Sequence, residues 1–124
     1  MKTFYFITVL FIGLSITAYS QNSSNLAFVK SKSDILKSKE NGCYIFTLPK
    51  GTSKEKVEQS AKYYTIYFNV IFDETTLEAK INMITNDEKV RHVICRFLVS
   101  TDVEIINMEG QEFVIEEFYK QYMK

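Results

Sequence analysis

The stretch IYFNVIFDETTLEAKINM, residues 66–83, decides the fold of this chain. On each side of its central turn at 73–76, one set of alternate positions is apolar and the other set is mostly polar. Alternation with a period of two is typical of a strand that has one face in the core and the other in water. The stretch therefore predicts a β-hairpin with one buried face and one open face.

The open face of this hairpin is the candidate binding surface. We select four residues on it: Tyr67, Asn69, Ile71 and Lys80. Tyr67 and Ile71 would form a partly apolar platform beside Lys80, and tyrosine suits protein contacts because its ring is apolar and its tip polar. The alternative is that residues 21–42 or the C-terminal helix fold over this face and close it.

The elements on both sides of the hairpin complete a simple order. A strand is predicted over 43–48, and a helix follows the capping box at 52–55. After the hairpin, a second helix starts at 85–88 and a strand covers 103–108. This order predicts an α+β fold, the ferredoxin-like βαββαβ sandwich, with an antiparallel sheet of four strands and both helices on one face. A hairpin turn at 109–110 and helical spacing over 115–123 predict a C-terminal hairpin and helix extension.

This order of elements resembles the heavy-metal-associated domains, which are small ferredoxin-like modules that carry soft metals. The likeness covers roughly residues 43–108 and lies at the level of the fold. The family binds metal through a Met-x-Cys-x-x-Cys loop after its first strand, because thiolates suit a soft cation. The corresponding loop here, Leu-Pro-Lys-Gly-Thr-Ser-Lys at 48–54, contains no sulfur. The resemblance therefore implies the fold, and no metal-binding position carries over.

Residues 1–20 have the pattern of a signal peptide. A basic start at Lys2 precedes an apolar run over 4–16, and Ala18 and Ser20 are the small residues that a signal peptidase needs. The run is shorter than the roughly 20 apolar residues of a membrane span. We predict cleavage before Gln21, an exported periplasmic or secreted protein without a membrane span, a polar and partly flexible leader at 21–42, and a single domain at 43–124.

The composition limits the function. The chain has 15 basic and 15 acidic residues, so removing Lys2 with the signal peptide leaves a net charge near −1. Nucleic-acid binding needs clustered basic residues and is therefore disfavoured. The sequence contains no nucleophile elbow and no phosphate-binding glycine loop. These observations predict a non-enzymatic binding or interaction module without a cofactor, whose partner is an unknown protein or small molecule in the cell envelope.

Two cysteines and one histidine are the remaining candidates for chemistry. Cys43 and Cys95 could form a disulfide in an oxidising compartment, or remain thiols. Helical spacing places Cys95 off the apolar stripe and near Arg91 and Arg96, where cationic neighbours would make a thiol more reactive. His92, the only histidine, has Glu88 one turn away, but a stable metal site usually needs three or four protein ligands. The alternative function is a degenerate heavy-metal-associated-like domain with a residual metal or thiol-redox role.

Overall fold

The computed structural model describes residues 25–124. The predicted signal peptide and residues 21–24 of the predicted leader lie outside the described residues. The strands are β1 (Leu26–Val29), β2 (Cys43–Thr47), β3 (Phe68–Asp73), β4 (Glu78–Met83), β5 (Ile105–Met108) and β6 (Gln111–Val114). The helices are α1 (Lys32–Asn41), α2 (Lys54–Ala61), α3 (Glu88–Ser100) and α4 (Ile115–Phe118). A 3₁₀ turn, Lys62–Tyr64, extends α2, and a π turn, Tyr119–Met123, extends α4.

The strands of the described region form one mixed six-stranded sheet in the order β3-β4-β2-β1-β5-β6. All neighbouring pairs are antiparallel except β1 and β5, which are parallel. The α+β class is confirmed, and so is the predicted hairpin, which is β3 and β4. The predicted sheet of four antiparallel strands is not confirmed, because β1 lies between β2 and β5 and β6 adds a further edge strand.

The residues predicted to form a leader build part of the domain. Residues 26–29 form β1 inside the sheet, and Ala27 and Val29 are buried in the core. Residues 32–41, also predicted to belong to the leader, form the helix α1, which buries Ile35 and ends at Gly42. Gly42 has a φ of 75°, the left-handed conformation in which glycine favourably ends a helix.

One face of the sheet carries the core. Tyr44, Phe46 and Ile81 are fully buried there, and they belong to the same cluster as Val57 of α2 and Phe97 of α3. Helices α2 and α3 therefore both contribute to the core on this face of the sheet. The strand residues that alternate with these core residues point to the opposite face, because side chains alternate across a strand.

Helices α2 and α3 each follow a residue whose side chain accepts a backbone N–H. Ser53 caps α2 by accepting the N–H of Lys56, and Asp87 caps α3 by accepting the N–H of Val90. The cap of α2 is the second residue of the predicted capping box at 52–55 rather than its first, and α3 begins at Glu88, within its predicted start at 85–88. No helix within residues 25–124 has the length and apolar character needed to cross a membrane.

Candidate functional site

The face of the sheet opposite α2 and α3 carries a line of exposed side chains. Ile71 of β3 pairs with Lys80 of β4, and Lys80 pairs with Ile45 of β2. Ile71 is 63% exposed and Ile45 is 48% exposed. The three side chains therefore cross three adjacent strands side by side, with the lysine between two isoleucines.

Two further residues extend this line. Phe28 of β1 is 46% exposed and pairs with Thr47, so it lies on the same side of the sheet as Ile45. Asn69 lies two residues before Ile71 on β3, is exposed and shares its face. We call the surface made by Phe28, Ile45, Asn69, Ile71 and Lys80 the open face. Phe28 was missed by sequence reasoning, and Ile45 was covered only as one side of the first predicted strand.

A cavity of about 550 Å³ lies at the end of the open face next to α1. Phe28 and Ile45 form its apolar part, and Lys37 and Asn41 of α1 contribute polar groups. Cavities that accept ligands or large side chains have volumes of roughly 300–1,000 Å³ and combine apolar walls with a few polar groups. The open face thus ends in a depression that could accept an apolar side chain.

Lys80 has no carboxylate partner within the described part of the chain. The ion pairs there join Lys56 to Asp102 and His92 to Glu116, all of them away from the open face. Lys80 is exposed, and Ile45 and Ile71 lie opposite it on the two adjacent strands. An acidic group on a partner could therefore bind it without displacing an internal ion pair.

Tyr67 does not lie with the other three predicted site residues. It precedes the first residue of β3 and packs partly against the core. It lines a different cavity, of about 390 Å³, together with Lys89, His92 and Arg96 of α3. The structure therefore groups Asn69, Ile71 and Lys80 and separates Tyr67 from them.

Cys43 and Cys95 are free thiols on different sides of the sheet. Cys43 is half-buried at the start of β2 and lines the cavity beside α1. Cys95 belongs to the core and is 3% exposed, although helical spacing places it off the apolar stripe of α3. Burial, followed by the charge of Glu116, raises the pKa of Cys95 to about 12. Its thiol therefore stays protonated at neutral pH, which opposes the reactive-thiol interpretation.

His92 pairs with Glu116 rather than with Glu88. Its Nε2 lies 3.1 Å from Oε1 of Glu116, and its ring stacks on Tyr119 with ring centroids 4.3 Å apart. Among residues 25–124, no group of three or more His, Cys, Asp or Glu side chains is arranged to hold a metal ion. The contacts of His92 join α3 to the C-terminal segment.

Comparison with known proteins adds no relative: no protein-family model, curated protein or solved structure matches this chain. The open face and the cavity beside it are therefore the features of this chain that indicate a function.

Proposed function

We propose that this chain is a non-enzymatic interaction module that binds a protein partner through the open face. The observation that carries the proposal is the line of exposed Ile71, Lys80 and Ile45 across three strands, continued by Phe28. Isolated exposed apolar residues are ordinary, whereas here Ile71, Ile45 and Phe28 lie on neighbouring strands around one lysine, and such a cluster of exposed apolar residues with polar surroundings is typical of an interaction surface. An antiparallel sheet can leave one face in water, but such a face is usually polar.

The chemistry of the open face indicates the chemistry of its partner. Ile45, Ile71 and Phe28 would be buried against apolar side chains, and Lys80 would face a carboxylate of the partner. A large apolar side chain of the partner would enter the cavity beside α1. Such an anchor in a desolvated pocket usually supplies much of the binding energy of an interface. The proposed partner is therefore a protein with an acidic group inside an apolar contact surface.

The proposal includes two further properties, export of the protein and a ferredoxin-like arrangement of its core. Export rests on the pattern of residues 1–20 and would place the partner in the cell envelope or outside the cell. With β1 and β6 set aside, the remaining strands are ordered β3-β4-β2-β5 and follow the chain as βαββαβ. This supports a ferredoxin-like arrangement into which β1 has been inserted.

The alternative function, a metal or thiol-redox role as in heavy-metal-associated domains, stays a prediction. Cys43 lies on the side of the open face, whereas Cys95 lies in the core and His92 is paired with Glu116. Replacing both cysteines with serine tests it through the metal content of the protein recovered from its host. An unchanged metal content would contradict this alternative.

Site-specific photo-crosslinking tests the open-face proposal. A photo-reactive amino acid replaces Ile45 in the protein expressed in its host, and a matched variant carries it at Tyr63, which is 83% exposed and lies on the 3₁₀ turn after α2. We expect one adduct of defined mass from position 45 and none from position 63. Adding Lys80→Glu should reduce the yield at position 45 by roughly tenfold, because reversing a charge at the centre of an interface opposes the partner's carboxylate.

The control for charge alone is Lys50→Glu, since Lys50 is exposed in the loop after β2. This variant should leave the adduct from position 45 unchanged. Equal adducts from positions 45 and 63, or a yield at position 45 that Lys80→Glu does not change, would contradict the proposal.

A further inference from the structure

The outer edge of β3 is a second surface with unused binding groups. β3 is the last strand on one side of the sheet, and no strand within residues 25–124 pairs with its outer side. An edge strand presents a row of backbone N–H and C=O groups that can pair with another chain. This edge is distinct from the open face, which is formed by side chains.

The hydrogen-bond register shows which groups of β3 point outward. The N–H of Ile84 donates to the carbonyl of Tyr67 at 3.0 Å, so these two residues form a hydrogen-bonded pair. Hydrogen-bonded pairs alternate along an antiparallel ladder, so Asn69 and Ile71 are also bonded to β4. The backbone groups of the residues between them point to the free edge. These residues are Phe68, Val70 and Phe72.

The other contacts of β4 confirm this alternation. The N–H of Leu48 donates to the carbonyl of Leu77 at 2.8 Å, and the N–H of Met83 donates to the carbonyl of Gly42 at 2.9 Å. Residues of β4 with odd numbers therefore bond to β2, and those with even numbers bond to β3. The bonds of β4 to β3 and its bonds to β2 therefore identify the same outward backbone groups of β3.

β3 lacks the features that usually protect an edge strand. Its sequence, FNVIFD, contains no proline and no lysine, and it runs for six residues. The opposite edge strand, β6, has only four residues, and each of the two strands carries one acidic residue, Glu112 in β6 and Asp73 in β3. Short length discourages pairing between edges. The free edge of β3 is therefore the better of the two for adding a strand.

We infer that β3 pairs antiparallel with β3 of a second copy of this chain, with the two-fold axis at Val70. In this register Val70 lies opposite Val70 of the second copy, and Phe68 lies opposite Phe72 of the second copy. Each outward residue then exchanges two backbone hydrogen bonds with its partner. A self-complementary strand of this kind fits the isologous contact of a two-fold dimer.

The charges and the space along β3 agree with this register. The acidic residue Asp73 lies opposite Tyr67 of the second copy, so no like charges face each other along the strand. A groove of about 400 Å³ runs between α2 and β3, and its walls include Val57 and Ala61 of α2. The added strand therefore has room on the side of the helix.

Hydrogen exchange of the wild-type protein at several concentrations tests the inference. We expect the amides of Phe68, Val70 and Phe72 to slow by roughly tenfold or more between about 10 µM and about 1 mM, as the dimer forms by mass action. The amides of Asn69 and Ile71 bond to β4 and should be slow at every concentration. Native mass spectrometry should show a dimer over the same range.

A matched pair of variants separates this edge from the open face. Val70→Pro removes an outward N–H without removing a bond to β4, so it should keep the fold and abolish the dimer. Ile45→Lys changes the open face and should leave the dimer intact. Outward amides that exchange at the same rate at all concentrations would overturn the inference. A uniformly fast rate would mean that the edge is free, and a uniformly slow rate would mean that it is covered within one chain.

Discussion

Replacing Tyr44 with phenylalanine should stabilise the protein, although tyrosine is fully buried at this position. The ring of Tyr44 stacks on Phe46 with an interplanar angle of 5° and centroids 6.2 Å apart. Its hydroxyl group is also buried, and within the described residues it has no hydrogen-bond partner. The substitution Tyr44→Phe keeps the ring and its packing and removes only this hydroxyl.

The size of the effect follows from two opposing contributions. A buried hydroxyl without a partner costs about 1–3 kcal/mol of desolvation, and the variant recovers this cost. The space left by one oxygen atom loses a few van der Waals contacts of roughly 0.1–0.2 kcal/mol each. We therefore expect the free energy of unfolding to rise by about 1 kcal/mol, which corresponds to roughly 4–8 °C in Tm for a domain of this size.

Urea unfolding followed by circular dichroism measures this change, and Tyr119→Phe is the matched control. The hydroxyl of Tyr119 donates to the carbonyl of Glu88 at 3.4 Å, so its removal should lower stability by about 0.5–1.5 kcal/mol. The same chemical change should therefore raise the free energy of unfolding at Tyr44 and lower it at Tyr119. A loss of about 1 kcal/mol or more in Tyr44→Phe would refute the reasoning, because the hydroxyl would then make a hydrogen bond in the folded protein.

Three further predictions concern stability. Burial raises the pKa of Cys95 from 9.0 to about 12, so its contribution to stability is complete below pH 9 and is lost as the pH rises from 9 to 12. At pH 10 the loss in unfolding free energy should be ~1.4 kcal/mol. Denaturant titrations of Cys95→Ala at a series of pH values should show a smaller decline of this free energy between pH 9 and 12. A decline equal to that of the wild-type protein would contradict the burial of the thiol. Asp87→Ala removes the acceptor that lies 2.8 Å from the N–H of Val90 and should cost ~1 kcal/mol in the same assay, whereas no loss would show that α3 begins without this cap. Ile45→Lys should change the unfolding free energy by less than ~0.5 kcal/mol, whereas Phe46→Ala, one residue further along β2, should lower it by ~3–5 kcal/mol. Similar losses in the two variants would mean that the two faces of the sheet are wrongly assigned.

The parts of the fold that sequence analysis predicted are those with a local signal. Strong alternation over 66–83 gave the hairpin of β3 and β4, and capping residues with an apolar stripe gave α3. The turn at 109–110 was predicted as well, and both of its residues have positive φ. Each of these features depends on residues close together in the chain.

The features that were missed depend on distant contacts. β1 is four residues long between polar neighbours, and it becomes a strand by pairing with β5 near the other end of the chain. Its absence from the prediction also removed Phe28 from the candidate site. Helical spacing placed Cys95 off the apolar stripe of α3, but Glu116 of the C-terminal segment lies beside it and Cys95 is buried. Local periodicity carries no information on such coverage.

Tyr67 is a second residue whose position local periodicity did not predict correctly. Strict alternation assigned it to the face of Asn69 and Ile71, but β3 begins only at Phe68. The carbonyl of Tyr67 still accepts the N–H of Ile84 across the hairpin, but Tyr67 belongs to the turn before β3, and its side chain lines the cavity beside α3. The central part of the candidate site was therefore predictable from alternation, and its boundary was not.

Acetylation of lysines in the wild-type protein tests the central claim, that the open face binds a protein partner, most directly. The rate of Lys80 acetylation is compared between a concentrated extract of the host cells and the purified protein, with the exposed Lys120 as the internal reference. The account predicts that Lys80 reacts several-fold more slowly relative to Lys120 in the extract, because a bound partner covers it. An equal ratio of the two rates in both samples would contradict the account.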